Sequence, residues 1–200
     1  TKWVEAEPVT TITEQAAWKF VWKNLLCRFG VPRVITSDNG KQFDSTFFKQ
    51  KCAELGIYNH FTSVAHPQAN GLVENANRTL LHGIRTRVEA AGGSWIDELP
   101  NILWCHRTTA RVATGETPFH LAYGSEAVVP LEVALPTIRT THFDEAANNR
   151  ALRENLDMLG ERQSDASIRL VSYQQRLAQY YNARVRERRF SVGDLVLRRC

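Results

Sequence analysis

Two acidic residues, Asp38 and Glu74, stand out because of the segments that carry them. Asp38 follows the β-rich run Val-Ile-Thr-Ser and precedes Asn39-Gly40, so it is predicted at the C-terminal end of a strand. Glu74 follows after 35 intervening residues, in the first turns of a predicted long helix. Ligands collect where the strands of α/β sheets end, and Mg²⁺ is commonly held by one or two carboxylates. We therefore expect the two carboxylates to converge on a divalent cation.

The chemistry expected of such a pair is phosphoryl transfer. Two Mg²⁺ or Mn²⁺ ions about 3.5–4 Å apart activate the attacking oxygen and stabilise the leaving one. A two-ion site usually needs a third carboxylate. Glu5 and Glu7, on a predicted first strand, are candidates by position, and the alternative is a ligand upstream of Thr1.

The helix that carries Glu74 is predicted to have a charged face. At 100° per residue, Glu74, Arg78, His82 and Arg85 fall within about 80° of one another. The two arginines either form ion pairs on a solvated surface or contact phosphates beside a metal site. A neighbouring apolar stripe is expected to face the core: Val73, Ala76, Leu80, Ile84 and Val88.

The hydrophobic pattern before Asp38 predicts a strand followed by a helix. Lys2 to Val9 alternates loosely and reads as a strand. Thr11 and Glu14 form a capping-box pattern, which predicts that the helix begins there. Gly30 and Pro32 are expected to end that helix.

The remaining elements of the first 125 residues continue this alternation. A short strand ends at Asp38, Ser45 is predicted to cap a helix, and residues 57–64 read as another strand. A long helix follows over residues 72–91, and Ser94 is predicted to cap an amphipathic segment that Pro100 interrupts. This order predicts an α/β domain with helices flanking a mixed sheet.

Composition excludes several classes of protein. The 200 residues are 43% hydrophobic and 23% charged, which is typical of globular domains, and no apolar run reaches the ~20 residues of a membrane helix. The net charge is +4, and residues 169–200 hold eight Arg against two acidic residues, which favours a polyanionic partner or a basic linker. The four Cys lack zinc-site spacing, so a reducing compartment is expected.

Some residues are predicted only to support the fold. Cys27 and Cys52, with their apolar neighbours, are expected in the core. The pattern does not decide whether His106 and Arg107 face solvent or DNA. Four tryptophans at apolar helical positions are also expected to be buried: Trp18, Trp22, Trp95 and Trp104.

Four stretches together resemble a known family: CRFGVPRVITSDNGKQF, FTSVAHPQANGLVENANRTL, LWCHRTTARVATGETPFHLAYG and the closing FSVGDLVLRR. They resemble the integrase region of gypsy-class long-terminal-repeat retrotransposon polyproteins, particularly those of plants, over nearly the whole chain. The spacing of Asp38 and Glu74 matches the second half of that family's D,D,35,E set.

The resemblance implies a ribonuclease-H-like core in which Asp38 and Glu74 are catalytic metal ligands for Mg²⁺ or Mn²⁺. The family's first Asp is expected upstream of Thr1, so this chain alone is expected to bind metal poorly and to be inactive. The resemblance also implies DNA contacts from six residues: Asn39, His66, Gln68, Asn70, Arg78 and Arg85. For His66 the alternative is a donor that stabilises the loop, and Asn70-Gly71 could be a plain turn.

The domain organisation expected from the same resemblance has four parts. Residues 1–125 form the catalytic core without its first strand, and residues 126–143 form a linker. Residues 144–186 form one or two long helices, and residues 187–200 begin a small β-barrel that the chain does not complete.

The resemblance implies DNA integration by a polynucleotidyl transferase that processes 3′ ends and transfers strands. The expected partners are retrotransposon DNA ends, target DNA and further copies of the chain, and no membrane is expected to take part. The expected site of action is the nucleus, which the protein would enter from a cytoplasmic particle. One alternative is a decayed or domesticated integrase remnant that binds nucleic acid or protein without catalysis. A ribonuclease H that cuts RNA–DNA hybrids is disfavoured by the Arg-rich helical segment.

Overall fold

Two parallel strands form the sheet in the part of the chain that the structure describes. In this computed structural model, residues 1–62, 71–129, 135, 137, 141–185 and 193 are described. Strand β1 (Val34–Ser37) pairs with β2 (Tyr58–Phe61), in register from Val34 opposite Tyr58 to Ser37 opposite Phe61. Parallel strands need a crossover connection, which here contains a helix, so both strands end at the same edge. The strand predicted before Asp38 is confirmed.

A helical stretch precedes β1. Helix α1 (Glu14–Val21) continues through a π-helical segment (Trp22–Leu26) into one further turn, α2 (Cys27–Phe29). Thr13 caps α1, because its backbone is extended and its hydroxyl accepts from the N–H of Ala16. The predicted cap at Thr11 is therefore wrong by two residues. Gly30, with a φ of +84°, ends the stretch as predicted.

Helix α3 (Thr46–Glu54) connects the two strands and supplies the first apolar cluster. Ser45 caps it as predicted, since its Oγ accepts from the N–H of Phe48 at 3.1 Å. Phe48 is fully buried and makes edge-to-face contacts with Trp18 and Phe43. The buried members of this cluster are Val21, Leu26, Phe48, Cys52 and Ile57.

Helices α4 (Gly71–Ala91) and α5 (Trp95–Thr108) pack on each other through a second apolar cluster. A Cβ at Gly83 would lie 3.0 Å from Cγ2 of Ile102, so the missing side chain lets the two helices approach closely. Pro100 lies inside α5, which runs through it without the predicted interruption. The buried members are Leu80, Leu99, Ile102 and Leu103.

The strand predicted over Lys2–Val9 is absent from the structure. These residues are described and have no ladder partner. Val4 and Ala6 instead pack against the second apolar cluster, and the carbonyl of Val4 accepts from Arg107. An alternating pattern identifies a segment with one buried side, but a strand also requires a neighbouring strand.

The chain divides into two compact units, Thr1–Thr109 and Ala110–Cys200. In the second, α6 (Pro118–Tyr123) packs against α8 (Leu159–Asn182), which follows α7 (Glu145–Asp157) with only Met158 between them. The predicted helical region therefore contains two helices, and residues 186–192 and 194–200 at its end lie outside the described residues. The domain boundaries at 125, 143 and 186 stay predictions.

Several residues expected in the core are exposed. Trp22 and Trp95 are 49% and 44% exposed, and Cys27 is exposed as well, whereas Trp18 and Trp104 are half-buried and Cys52 is buried. Helical periodicity places residues on a common face without saying how far a neighbouring element covers that face. None of the described helices is both long and apolar enough to span a membrane.

Candidate functional site

Asp38 lies directly after β1, at the end of the parallel sheet, and its side chain is exposed. Its Oδ1 accepts from the backbone N–H of Gly40 at 3.1 Å, which closes a tight turn. Asn39, also exposed, donates from Nδ2 to the carbonyl of Thr62, just past β2, at 3.3 Å. The turn that carries Asp38 is thus fastened to both strands, and its carboxylate faces solvent.

Gly40 leaves room beside the Asp38 carboxylate. A Cβ at this position would lie 2.9 Å from Asp38 Oδ1 and 2.5 Å from Nε2 of Gln42. Any larger residue would therefore displace the carboxylate or the amide. The sequence analysis did not identify Gln42, because the sequence marks this residue only by its position two residues after Gly40.

Glu74 lies in the first turn of α4 and is exposed. The same helix carries the predicted charged face, and Arg78, His82 and Arg85 are all exposed. On the apolar stripe Leu80 is buried and Ile84 packs beside it, whereas Val73 is 59% exposed. The predicted apolar face of α4 is confirmed at Leu80 and Ile84 and is wrong at Val73, which lies in the first turn of the helix.

The arginines of α4 differ in their partners. Arg87 forms an ion pair with Glu98 of α5 at 3.3 Å. Among the described residues, neither Arg78 nor Arg85 forms an ion pair with a carboxylate, so surface pairing does not account for them there. Their charges are exposed on the same face as Glu74 and suit an anionic partner.

The candidates for a third carboxylate, Glu5 and Glu7, are both engaged by cations. Glu5 is bound by Arg28 and Arg107, each at 2.6 Å, and its side chain is only 6% exposed. Glu7 accepts from Asn24 and Lys23, whose hydrogen bonds lower the pKa of its carboxyl. Neither presents a free carboxylate, so the structure argues against both as metal ligands.

The structure also decides the placement of the two residues at the end of α5. His106 is buried, and the side chain of Arg107 is 17% exposed and turned toward the N-terminal segment. Neither residue is therefore on a solvent-facing surface. The sequence analysis left both open and did not connect Arg107 with Glu5, which lies 102 positions away.

The donors that the chain offers a metal ion are hard oxygen ligands. The described residues include no group of three or more His, Cys, Asp or Glu that could hold a metal ion. The exposed carboxylates of Asp38 and Glu74 fit Mg²⁺ or Mn²⁺ by ligand type. Their convergence stays a prediction, and His66, Gln68 and Asn70 lie outside the described residues.

Sequence comparison relates the chain to parts of much longer proteins. No family model matches it. It is 32% identical to the Gag-Pol polyprotein of avian reticuloendotheliosis virus over 197 residues, which are 97% of the chain and 16% of that polyprotein. It is 23% identical over 201 residues to the retrovirus-related Pol polyprotein from transposon 412 of Drosophila melanogaster, again covering 16% of it. The chain thus spans about a sixth of the length of these relatives.

Structural comparison identifies the fold. A chain of the simian T-cell lymphotropic virus intasome in complex with PP2A regulatory subunit B56 gamma matches 68% of this chain and 49% of its own length, with a TM-score of 0.56 and 23% identity. The catalytic core domain of BIV integrase matches 60% of this chain and 77% of its own length, with a TM-score of 0.51 and 23% identity. The chain is therefore homologous to a part of retroviral Gag-Pol and transposon Pol polyproteins, and it has the fold of integrase catalytic cores.

Proposed function

We propose that this chain is the core region of a retrotransposon integrase, a Mg²⁺-dependent polynucleotidyl transferase that processes 3′ DNA ends and joins them to target DNA. One observation carries the proposal. Within a fold shared with integrase catalytic cores, an exposed aspartate ends a strand of the parallel sheet and an exposed glutamate begins the long helix. The gypsy class and the plant type belong to the proposal as well.

Asp38 and Glu74 are the proposed metal ligands. A bound pair of Mg²⁺ or Mn²⁺ ions would supply activation of the attacking water or 3′-hydroxyl and stabilisation of the leaving oxygen. The backbone N–H of Gly40 orients the Asp38 carboxylate through the turn described above. A third ligand from upstream of Thr1 is part of the proposal, so the chain alone is expected to be inactive.

The DNA contacts are proposed for residues of two kinds. Arg78 and Arg85 are exposed cations on the face of α4 that carries Glu74, where they would neutralise backbone phosphates. Asn39 would contact DNA from the turn after β1, and three residues of the loop before α4 complete the set: His66, Gln68 and Asn70. Further copies of the chain, the two retrotransposon DNA ends and target DNA are the proposed partners, and the nucleus is the proposed site of action.

Strand transfer by a protein extended upstream of Thr1 tests the proposal. The substrate is a duplex with the terminal sequence of the element that encodes the chain, with Mg²⁺ as the metal. Glu74→Gln removes the carboxylate but keeps the size of the side chain, and we expect it to lower strand transfer by about 10³-fold or more, the order of loss typical of catalytic groups that act in the transition state.

Glu89→Gln is the matched control, because Glu89 is an exposed glutamate near the other end of the same helix. It should retain the activity of the parent protein. Equal activity of Glu74→Gln and the parent would contradict the proposed role of Glu74. Absence of strand transfer from the parent, with DNA binding retained, would favour the integrase remnant.

A further inference from the structure

The two proposed metal ligands belong to two separate apolar clusters. Asp38 follows β1, whose Ile35 packs against the cluster built around Phe48. Glu74 belongs to α4, which packs on α5 through Leu80 and its neighbours. The two clusters share no member among the described residues. The relative placement of the carboxylates therefore depends on what joins one cluster to the other.

The N-terminal segment Trp3–Glu7 contacts the elements of both clusters. On one side, Val4 and Ala6 pack against the cluster of α4 and α5. On the other side, Glu7 accepts from Lys23 and Asn24 of the π-helical segment. This segment has no ladder hydrogen bonds to a neighbouring strand, so its position depends on contacts that involve side chains.

Glu5 is the centre of this junction. Its Oε1 accepts from Arg28 of α2 at 2.6 Å and from Nε1 of Trp3 at 2.8 Å, and its Oε2 accepts from Arg107 of α5 at 2.6 Å. Arg107 also donates from Nε and Nη2 to the carbonyl of Val4 at 3.1 and 2.9 Å. Its guanidinium lies 4.5 Å from the ring centroid of Trp3. One carboxylate thus links α2, the N-terminal segment and α5.

Because Glu5 is buried, this link restricts the relative orientation of the elements that it joins. Its side chain is 6% exposed and that of Arg107 is 17% exposed, so solvent screens their interaction weakly. The planar fork of Arg107 permits few orientations relative to its acceptors. Without the carboxylate, Arg28 and Arg107 would face each other as two unneutralised cations. The expected response is that α2 and α5 move apart.

We propose that Glu5 is a positioning residue that, through Arg28 and Arg107, sets the placement of α4 relative to β1 and hence of Glu74 relative to Asp38. Its importance for chemistry rests on the proposed function. The effect of Glu5 on the placement of Glu74 relative to Asp38 is a property of the folded chain and does not depend on catalysis.

Distance measurement between two spin labels tests the geometric claim on the chain of residues 1–200. The labels are placed on cysteines introduced at Lys41, three residues after Asp38, and at Asn77, three residues after Glu74, both of which are exposed. Cys27, Cys105 and Cys200 are replaced by Ser, and the buried Cys52 is kept. We expect the parent to give one narrow distance distribution by pulsed electron resonance.

Glu5→Gln keeps the shape of the side chain and removes its charge. We expect it to broaden the distance distribution about twofold or to shift its mean by about 1 Å or more, a displacement large enough to disturb a metal or catalytic site. Glu54→Gln is the matched control, since Glu54 also pairs with a cation but its hydrogen-bond partners Lys51 and Gln50 lie in its own helix, α3. It should leave the distribution unchanged.

A merely structural role for Glu5 would lower the melting temperature without changing the distance in the folded protein. That result, with far-ultraviolet circular dichroism equal to the parent's, would overturn the proposal. If Glu5→Gln does not fold, Arg107→Lys carries the test, because it keeps the charge and loses the fork that binds Glu5 and Val4; an unchanged distribution in that variant would equally overturn the proposal.

The measurement needs neither DNA nor metal, so its outcome is independent of the strand-transfer test of Glu74. In the extended protein, Glu5→Gln should in addition lower the turnover rate about 10²-fold while the affinity for DNA ends is retained. Loss of DNA affinity in proportion to turnover would instead indicate general disruption of the core.

Discussion

The contacts inside each of the two compact units differ in kind. The first unit has two apolar clusters, one of which contains the fully buried Phe48. In the second unit, two polar contacts join α6 and α8: Gln163 donates to the carbonyl of Leu121 at 2.8 Å, and Arg162 lies 2.5 Å from Nε2 of His120. Most described residues of α8 are exposed. The first unit thus has two apolar clusters, whereas the second combines a few buried apolar residues, Pro118, Leu121 and Ala166, with directed hydrogen bonds.

His120 is the centre of the polar contacts in the second unit. A guanidinium cannot accept a hydrogen bond, so Nε2 accepts from Arg162 and Nδ1 carries the proton. Nδ1 faces Glu126 at 3.1 Å and Glu116 at 3.3 Å. Such a network depends on every member being present, whereas an apolar cluster tolerates some substitutions if its volume is kept. The units should therefore respond differently to mutation.

Truncation of a buried phenylalanine should have the largest effect. Phe48→Ala removes a ring that is fully buried, and we expect it to lower the free energy of unfolding by about 3–5 kcal/mol. Phe143→Ala in the second unit is the matched control, because Phe143 is 63% exposed, and its loss should cost less than about 1 kcal/mol. Urea unfolding measures both. Equal losses would show that burial of the ring does not set the cost of its truncation.

Loss of Arg162 should have an intermediate effect that is confined to the second unit. Arg162→Ala leaves Nε2 of the nearly buried His120 without its donor, and we expect a cost of about 1–3 kcal/mol. Hydrogen exchange should accelerate in α6 and α8 and stay unchanged around Phe48. Arg153→Ala, at an exposed position on α7, is the control and should leave exchange unaltered. Faster exchange around Phe48 as well would show that the effect of Arg162 is not local.

Helix caps should contribute similarly in both units, because a cap acts locally. Ser45 accepts from the N–H of Phe48 in the first unit, and Asp144 accepts from the N–H of Ala147 in the second. Replacement of either by Ala should cost about 1 kcal/mol. Chemical denaturation followed by circular dichroism measures the cost. If only one of the two replacements lowers the free energy of unfolding, the packing around a cap, and not its hydrogen bond alone, determines how much it stabilises.

The smallest effect is expected from acidification at Glu7. The hydrogen bonds from Asn24 and Lys23 lower the pKa of its carboxyl in the folded chain. The corresponding stabilisation is therefore complete above the ordinary carboxyl pKa and is lost as pH falls through the lowered folded pKa. Because the pair is exposed, its contribution should be at most about 0.5 kcal/mol. Thermal melts of the parent and Glu7→Gln should differ at neutral pH and converge in acid; a constant difference would exclude this linkage.

Local signals in the sequence were sufficient for most helices and both strands. Ser45, Gly30 and the β-rich run before Asp38 each act within a few residues, and each prediction is confirmed. The cap at Thr11 failed because Thr13 has the same chemistry two residues later. The strand over residues 2–9 failed because strand formation depends on a partner far away in the chain.

The parts of the site that the sequence did not predict depend on contacts between distant residues. The carboxylate of Glu5 is chemically suited to bind a metal ion. Arg28 and Arg107, which are 23 and 102 positions away, neutralise it instead. No periodicity indicates such a pairing. The family resemblance identified Asp38 and Glu74 by motif and spacing, which require no knowledge of packing. Gln42 was missed because the approach of its side chain to Gly40 exists only in the folded turn.

Helix α8 extends well past its last described contact with the segment around α6. Arg169 donates to the carbonyl of Thr114, and the helix continues for 13 residues to Asn182, which is about 20 Å of helical rise. The length of this stretch sets both the distance and the rotation between Arg169 and whatever follows Asn182. Insertion of one residue would lengthen it by only about 1.5 Å but rotate everything beyond it by about 100°. Length changes between Arg169 and Asn182 should therefore be tolerated far better in multiples of whole helical turns than singly.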